Sequence, residues 1–354
     1  MLTMDALIRL MFEKKASDLH LSPDSPPALR IDGELVPTDL EVLQPTACAA
    51  LVFSVLTDEQ RARFERDAEL KVSFSLENIG RVRMQVIKQR GMVAANLRGI
   101  PLQLPTFEEL GLPPIISDIV QLPKGLVIVA GPTGSGKSTT LAAMVEWINQ
   151  NKSVHVLTLE DPIEYQHAKA KAIVHQREIG YDSPNQTLAL KSTRSCDPDV
   201  VLLGEMTDLD TLRTALRLAE TGHLVFGALP VTDSVQAITQ IVDAFEPHQQ
   251  YRVRMQLSLV LQAVLIQQLL PRGYASGRVL ACEILIPTSA VRSLIREEKE
   301  HQVYSLMQTG GEYGMQTMNQ ALYELYQKQL VTYNEIFSRT TDPRDLQQLV
   351  KGTM

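Results

Sequence analysis

The stretch that decides the fold is an apolar run followed by a glycine-rich loop, Leu126-Val127-Ile128-Val129 and then Gly131-Pro132-Thr133-Gly134-Ser135-Gly136-Lys137-Ser138. A buried strand of this kind delivers the chain into a turn whose backbone N–H groups can all point at an anion. Residues 139–147 then open as a helix, whose positive end is aimed at the same place. The pattern predicts a site for a nucleoside triphosphate.

Each residue type in the loop suits a triphosphate. Glycine lets the backbone wrap closely around phosphate oxygens, where a Cβ would collide. Lys137 can reach the β- and γ-phosphates, and the Ser138 hydroxyl can ligate Mg²⁺. We therefore expect ATP and Mg²⁺ as ligands of the loop and the first helical turn, which consist of Gly131, Pro132, Thr133, Gly134, Ser135, Gly136, Lys137, Ser138 and Thr139.

Composition bounds the class of protein. With 354 residues, 44% hydrophobic and 21% charged, the chain is long enough for two globular domains. No apolar run approaches the ~20 residues that span a membrane, and no signal-peptide pattern opens the chain. The net charge of -7 argues against nucleic acid as a partner. The three cysteines are odd in number and far apart, which favours reduced cytosolic thiols and no zinc site.

The order of sequence patterns predicts two domains. Residues 1–100 read as a small α+β domain, with a helix at 3–15 and strands at 70–76, 81–88 and 92–97. Residues 101–123, rich in proline and leucine, predict a linker with one short helix near 107–111. From 124 to 354 strands alternate with helices, the signature of a mostly parallel α/β sheet. The tail after about residue 249 is expected to be predominantly helical.

Two carboxylates follow apolar strands in the second domain. Glu160 ends the run 156–160, and Glu205 ends the run 200–205. The carboxyl ends of parallel strands are where α/β proteins place their ligand sites. A carboxylate beside the γ-phosphate can orient or deprotonate the attacking water, or hold Mg²⁺ through a water. An acid at a strand end is more often a solvated turn residue. In a chain that also has a phosphate loop, a role in the site is the favoured interpretation.

These motifs together resemble the type IV pilus retraction ATPases, the PilT-like branch of the secretion ATPases. The resemblance covers nearly the whole chain and is carried by these segments: Ala16-Ser17-Asp18-Leu19-His20-Leu21, Arg98-Gly99-Ile100-Pro101, 131–140, Glu160-Asp161-Pro162-Ile163-Glu164, Gly204-Glu205-Met206, Ala219-Glu220-Thr221-Gly222-His223, and Ala290-Val291-Arg292-Ser293-Leu294-Ile295-Arg296-Glu297. Pilus-extension and type II secretion relatives usually carry a four-cysteine zinc site and a longer N-terminal region, which this sequence lacks.

The resemblance implies a RecA-like P-loop domain behind a PAS-like N-terminal domain. It further implies a hexameric ring in the cytoplasm, peripheral to the inner membrane, that couples ATP hydrolysis to pilus disassembly and twitching motility. A membrane platform protein is an implied partner, and a mixed ring with a paralogous pilus ATPase is an open alternative to a homohexamer.

The resemblance also implies residue roles. Lys137 and Ser138 become the phosphate and Mg²⁺ residues, Glu160 the general base and Glu205 the Walker B acid. Arg81 and Arg83 match arginines that reach the phosphates, work for which the fixed guanidinium fork is suited. The competing interpretation of these two arginines is an exposed strand with two solvated charges.

Several positions depart from the family pattern. Pro230 replaces a histidine that senses the γ-phosphate, and proline has neither an ionisable ring nor a backbone N–H. Ser195 and Cys196 replace an arginine and an acid, and Thr207 replaces another arginine. We interpret these changes as losses of polar groups near the γ-phosphate side or the subunit contacts.

Three functions stay open on this basis. One is a working motor with neutral changes or weakened hydrolysis. The second is a nucleotide-binding accessory paralogue without appreciable ATPase activity. The third is a nucleic-acid translocase, which the acidic balance disfavours. Losing one group that acts only in the transition state commonly lowers turnover by about 10²–10³-fold, so we lean towards weak hydrolysis.

Overall fold

The chain forms two compact units. The computed structural model describes residues 2–31, 33–76, 79–101 and 104–352, without the side chains of Pro101 and Arg194. The first unit comprises Met1–Gln103 and Pro162–Gln166, and the second comprises Leu104–Asp161 and His167–Met354. The division between 103 and 104 falls inside the predicted linker, of which residues 102 and 103 lie outside the described residues.

The first unit is an antiparallel sheet with helices. Its elements in chain order are α1 (Met4–Glu13), β1 (Asp18–Leu21), β2 (Ala28–Ile31), β3 (Glu34–Pro37), α2 (Pro45–Phe53), α3 (Asp58–Asp67), β4 (Glu69–Leu76), β5 (Gly80–Gln89) and β6 (Met92–Pro101). Within the described residues the strand order is β3-β2-β1-β6-β5-β4. The helix expected at 3–15 and the three expected strands are present as α1, β4, β5 and β6.

Alternation in β5 explains how this sheet has one buried face. Val82, Met84 and Val86 are completely buried, while Arg81 and Arg83 between them are half-buried on the other face. A period of two is what a pleated strand imposes on a half-buried sheet. The two arginines are therefore displayed side by side on the face away from the core.

The second unit is an α/β layer structure. Its elements in chain order are α4 (Phe107–Leu110), α5 (Ile116–Ile119), β7 (Gly125–Ala130), α6 (Lys137–Asn151), β8 (His155–Glu160), β9 (Ile173–Glu178), α7 (Gln186–Thr193), a short 3-10 helix (Arg194–Cys196), β10 (Val200–Glu205), α8 (Leu209–Glu220), β11 (Leu224–Leu229), α9 (Ser234–Asp243), α10 (Pro247–Val260), β12 (Leu261–Pro271), β13 (Arg278–Leu285), α11 (Ser289–Arg296), a second 3-10 helix (Glu300–Gln302), α12 (Val303–Thr309), a third 3-10 helix (Gly311–Tyr313), α13 (Met318–Gln327), α14 (Tyr333–Arg339) and α15 (Pro343–Lys351).

The sheet of this unit is buried on both faces. In the described part of the chain its strand order is β13-β12-β7-β11-β10-β8-β9, and every pair is parallel except β12 with β13. All six residues of β7 are buried. Leu126 and Ile128 belong to the core under α8 and α9, and Val127 and Val129 belong to the core under α6. A central parallel strand covered on both faces reads as a continuous apolar run for this reason.

The predicted fold class is confirmed: an α/β P-loop domain with a smaller, strand-rich N-terminal unit. The expectation of a predominantly helical tail was incomplete, because β12 and β13 follow α10. β12 is mostly buried, and its apolar run 263–266 is flanked by glutamines, so its sequence lacks the period of either a helix or a strand. β9 was also missed, since it is a polar strand at the edge of the sheet. None of the described helices has the length and apolar character to cross a membrane.

Candidate functional site

The glycine loop lies between β7 and the amino end of α6. Gly131, Gly134 and Gly136 have φ angles of +144°, +80° and +92°, a region that favours glycine. A Cβ on Gly131 would lie 2.4 Å from the backbone oxygen of Gln267 and 2.6 Å from Ser135 Oγ. The loop therefore needs glycine at 131 for space as well as for conformation.

Lys137 is held over this loop. Its side chain is only 8% exposed, and its Nζ donates to the backbone oxygens of Gly131 at 2.9 Å and Pro132 at 3.1 Å. The same Nζ lies 3.9 Å from Glu205 Oε1. Lys137 is the first residue of α6, a helix of fifteen residues, so its charge adds to the positive end of the helix dipole.

The loop fits a phosphate by a test that does not depend on its sequence pattern. Ser135 is 3% exposed, and its Oγ has no hydrogen-bond partner among the described residues. A buried hydroxyl without a partner is destabilising by about 1–3 kcal/mol, so such groups usually have a ligand or a water. An anion cradled by the loop would satisfy it.

Most of the remaining loop residues are at least partly exposed. Gly131 is buried, Gly136 and Thr139 are half-buried, and the exposed ones are Pro132, Thr133, Gly134 and Ser138. Ser138 sits in the first turn of α6, as expected for a Mg²⁺ ligand. Its hydroxyl and the carboxylates at the same sheet edge are the oxygen donors that Mg²⁺ prefers.

A bulge in β10 brings Glu205 to the face of the sheet that carries α6. The pairing with β11 shifts between Leu203, which pairs with Gly227, and Glu205, which pairs with Ala228. Gly204 is therefore an extra residue. If Gly204 were paired regularly with Ala228, Glu205 would share the face of Leu203 under α8 and α9; because Glu205 pairs with Ala228 instead, it shares the face of the core under α6. The carboxylate is thus placed beside Lys137, and it is 60% exposed.

Glu160 ends the neighbouring strand on the same face. β8 pairs with β10 up to Leu159 and Leu203, so Glu160 follows beside the bulge. Its Oε1 accepts from Thr158 Oγ1 at 2.6 Å and from Gln176 Nε2 at 3.2 Å. The structure therefore brings Lys137, Glu160 and Glu205 to one edge of the sheet.

Arg81 and Arg83 lie in the first unit, on β5. Arg81 Nε donates to the backbone oxygen of Ile163 at 3.0 Å, and Arg83 lies 3.8 Å from Glu164. Their partners come from the segment Pro162–Gln166, which follows Glu160-Asp161 in sequence and belongs to the same unit. The alternative interpretation of two solvated charges is thus incomplete, while their contact with phosphates stays a prediction.

Sequence reasoning missed a buried glutamine beside the loop. Gln267 is completely buried on β12 and donates from Nε2 to Thr140 Oγ1 on α6 at 2.7 Å. Its Oε1 has no hydrogen-bond partner among the described residues. The available signal was an amide inside the apolar run of β12, since a buried polar side chain needs an explanation.

The positions that depart from the family pattern lie at two different edges. Pro230 directly follows β11, whose last residue, Leu229, accepts from the Gly131 N–H at 3.2 Å. Thr207 follows β10 at the same edge. Ser195 and Cys196 instead precede β10 and lie at the amino end of the strands. For those two the expectation of a place near the γ-phosphate was wrong, and a role in subunit contacts stays a prediction.

At one edge of a parallel sheet, one strand leads into a glycine loop and a helix, and two other strands end in carboxylates. This arrangement defines an α/β nucleotide-binding protein of the P-loop type. Within that class the match is specific. The profile of the family "Type II/IV secretion system protein" matches residues 2–338, and the chain belongs to this family.

The relatives confirm the PilT-like resemblance. The chain is 44% identical to the type IV pilus retraction ATPase PilT of Pseudomonas aeruginosa, over 93% of this chain and 96% of the relative. It is 38% identical to the type IV pilus ATPase PilU of the same organism, over 98% of this chain and 91% of the relative. Among solved structures, the pilus retraction motor PilT with bound ADP is similar with a TM-score of 0.91 and 46% identity, covering 98% of this chain and all of that one.

Proposed function

We propose that this protein is an ATP-driven motor of type IV pilus retraction. The observation that carries the proposal is the meeting of Lys137, Glu160 and Glu205 at the loop edge, in a chain 44% identical to a pilus retraction ATPase. The bound ADP of the similar PilT structure supports a nucleotide at this loop. The motor acts as a homohexamer, or as a mixed ring with a paralogue, at a platform protein on the inner membrane.

The chemistry proposed is hydrolysis of ATP to ADP and phosphate. Lys137 and the loop N–H groups hold the β- and γ-phosphates, and Glu160 takes the proton of the attacking water. Bound Mg²⁺, held through Ser138 with Glu205 behind it, would neutralise charge on the phosphate oxygens. Arg81 and Arg83 would add charge to the phosphates once released from Ile163 and Glu164.

The second candidate is a nucleotide-binding regulator with little ATPase activity. It is favoured by Pro230, which stands at the loop edge where the family pattern has a histidine. That one organism carries both PilT and PilU relatives of this chain supports a paralogue that works beside another motor. Nucleotide would then be a structural ligand of the ring.

Binding and turnover measured on one preparation test both candidates. A motor binds ATP and releases phosphate in steady state, and Lys137→Ala abolishes both activities. Lys169→Ala, at an exposed position of the second unit, is the matched control and leaves both unchanged. Tight binding without turnover would establish the regulator instead, and loss of fibre retraction in a deletion strain would support either role in the pilus machine.

A further inference from the structure

The carboxylate of Glu160 is held by two donors from neighbouring strands. Thr158 and Gln176 both donate to Oε1, at 2.6 and 3.2 Å. Thr158 lies two residues earlier on β8, and Gln176 is its register partner on β9. All three side chains consequently project from the face that carries α6. The rotation of the carboxylate is thereby set by the strand pairing.

The amide of Gln176 can take only one orientation here. Its Oε1 accepts from the backbone N–H of His167 at 3.1 Å, while its Nε2 faces Glu160. Exchanging the positions of Oε1 and Nε2 would place an oxygen against the Glu160 carboxylate and an N–H group against the His167 N–H. Gln176 therefore acts as a fixed donor to the carboxylate.

The acceptor side of this amide is anchored on the loop helix. The His167 side chain is 2% exposed, and its Nδ1 lies 2.7 Å from Glu146 Oε2 on α6. Burial by itself raises the pKa of the Glu146 carboxyl, but hydrogen bonds from His167, Gln150 and Asn149 outweigh it and hold that pKa below its ordinary value. Since α6 begins with Lys137, one chain of contacts connects the phosphate-binding helix to Glu160.

We propose that Gln176 is the positioning residue of Glu160: its amide, fixed by His167, aims the carboxylate at the attacking water. This inference rests on the proposed function, in which Glu160 is the general base. Gln176 touches neither nucleotide nor water in this role and acts through Glu160 alone.

The variant Gln176→Glu distinguishes a role in orienting Glu160 from a role in folding. A glutamate keeps the length of the side chain and an acceptor for the His167 N–H, but it cannot donate to Glu160 when ionised. We expect kcat for ATP to fall by about 10- to 100-fold, as for a misplaced catalytic group. The Kd of ATP and the thermal midpoint should stay close to those of the wild type. Gln348→Glu, the same change at an exposed position on α15, is the control.

A double variant gives the decisive readout. If Gln176 acts only through Glu160, then Gln176→Glu has no further effect on single-turnover hydrolysis in a Glu160→Gln protein. A general structural role would lower the rate in both backgrounds. Thr158→Val, which removes the other donor to Oε1 without touching His167, should also lower kcat and provides a second route should Gln176→Glu fail to fold.

The outcomes are distinguishable. The inference is wrong if folded Gln176→Glu has an unchanged kcat, or if the change lowers the rate as much in the Glu160→Gln background as in the wild type. Neither result would contradict the proposed motor. Wild-type protein that binds ATP without turnover overturns the motor and the inference together. An active wild type in which Glu160→Gln keeps full turnover removes the role of Glu160 as base, and the positioning role with it.

Discussion

Pro230 stands where the sheet delivers the chain to the loop edge. It follows Leu229, whose backbone oxygen accepts from the Gly131 N–H at 3.2 Å, and it is exposed. A histidine at this place could donate to the γ-phosphate as charge moves onto it, whereas the proline ring can donate nothing. We therefore expect the side chain at 230 to affect turnover more than nucleotide affinity.

Pro230→His is expected to raise kcat for ATP by at least about 10-fold with little change in the Kd of ATP, since one transition-state donor commonly contributes 10²–10³-fold. Phosphate release in steady state is the measurement. Pro114→His, at an exposed position of the second unit, should change neither quantity. An active wild type that gains nothing from Pro230→His would show that the missing histidine does not limit hydrolysis.

Glu283 is a buried carboxyl that joins three elements. It lies on β13, is 3% exposed, and accepts from the Ser234 N–H and hydroxyl at 2.9 and 2.7 Å and from the Met318 N–H at 3.3 Å. It thus caps the amino ends of α9 and α13. Burial raises the pKa of this carboxyl, against the lowering effect of those hydrogen bonds, and nearby Asp233 adds to the rise.

The raised pKa sets the sign of a pH effect. The folded pKa lies above the unfolded one, so the stability that Glu283 contributes is complete below the unfolded value and is lost as pH rises through the folded value. Glutamine does not titrate. Measured by calorimetry, the thermal midpoint of the wild type minus that of Glu283→Gln should therefore shrink as the pH rises above the ordinary range of a glutamate carboxyl. Glu108→Gln, exposed on α4, is the control, and a constant difference would contradict the argument.

At the scale of elements, Arg292 explains part of the late family motif. Its Nη1 donates to the backbone oxygens of Ser258 and Leu259, the second at 3.0 Å, and its Nη2 lies 3.3 Å from Gln262 Oε1. The arginine of α11 therefore satisfies the last carbonyls of α10, where the chain passes directly into β12. A cation at the carboxyl end of a helix also suits the dipole.

Arg292→Ala should lower the free energy of unfolding by about 1–3 kcal/mol, because carbonyls at a half-buried helix end lose a charged donor. Denaturant unfolding of purified protein measures it. Arg292→Lys should recover only part of the loss, since an ammonium lacks the guanidinium fork. Arg296 on the same helix has no described hydrogen bond or ion pair, so Arg296→Ala should be nearly neutral; an equal cost there would assign the effect to helix charge alone.

The elements that could be predicted share a property. Short runs of apolar residues bounded by turns or acids form β7, β8, β10 and β11. A strand that is buried on both faces has apolar side chains on both, so its sequence is a continuous apolar run. β9 is half-exposed at the edge of the sheet and its sequence resembles a loop. β12 has a continuous apolar run, 263–266, with glutamines on both sides, so no period separates strand from helix.

The candidate site was predictable where chemistry lies in one segment. One strand leads into the loop 131–138, and two others end at Glu160 and Glu205. Because these strands are parallel, the loop and both carboxylates lie at the same edge of the sheet. Gln176 and Gln267 could not be found, because their importance comes from partners distant in sequence: the His167 N–H with Glu160, and Thr140 with the space beside Gly131. A single glutamine in a sequence belongs to no motif that would mark it as part of a site.

At the scale of the whole molecule, the proposed motor is a ring of six copies. Light scattering of purified protein with Mg²⁺ and ATP should give a mass near six times the 39.4 kDa chain. Lys137→Ala, which abolishes nucleotide binding, should shift the population towards smaller species if nucleotide stabilises the ring. A monomer at all concentrations would contradict the homohexamer and direct attention to co-purification with a paralogue.

The bulge at Gly204 also bears on how β10 can change in length. Glu205 lies on the face of Lys137 because Gly204 is an extra residue that leaves Glu205, and not Gly204, opposite Ala228. Loss of Gly204 alone would return β10 to regular alternation, with Glu205 directly after Leu203 and still opposite Ala228. Regular pairing of every residue in the present sequence would instead carry the carboxylate to the opposite side of the sheet. The number of residues between strands therefore has to be read together with the pairing register, because the same letters can place a carboxylate on either face.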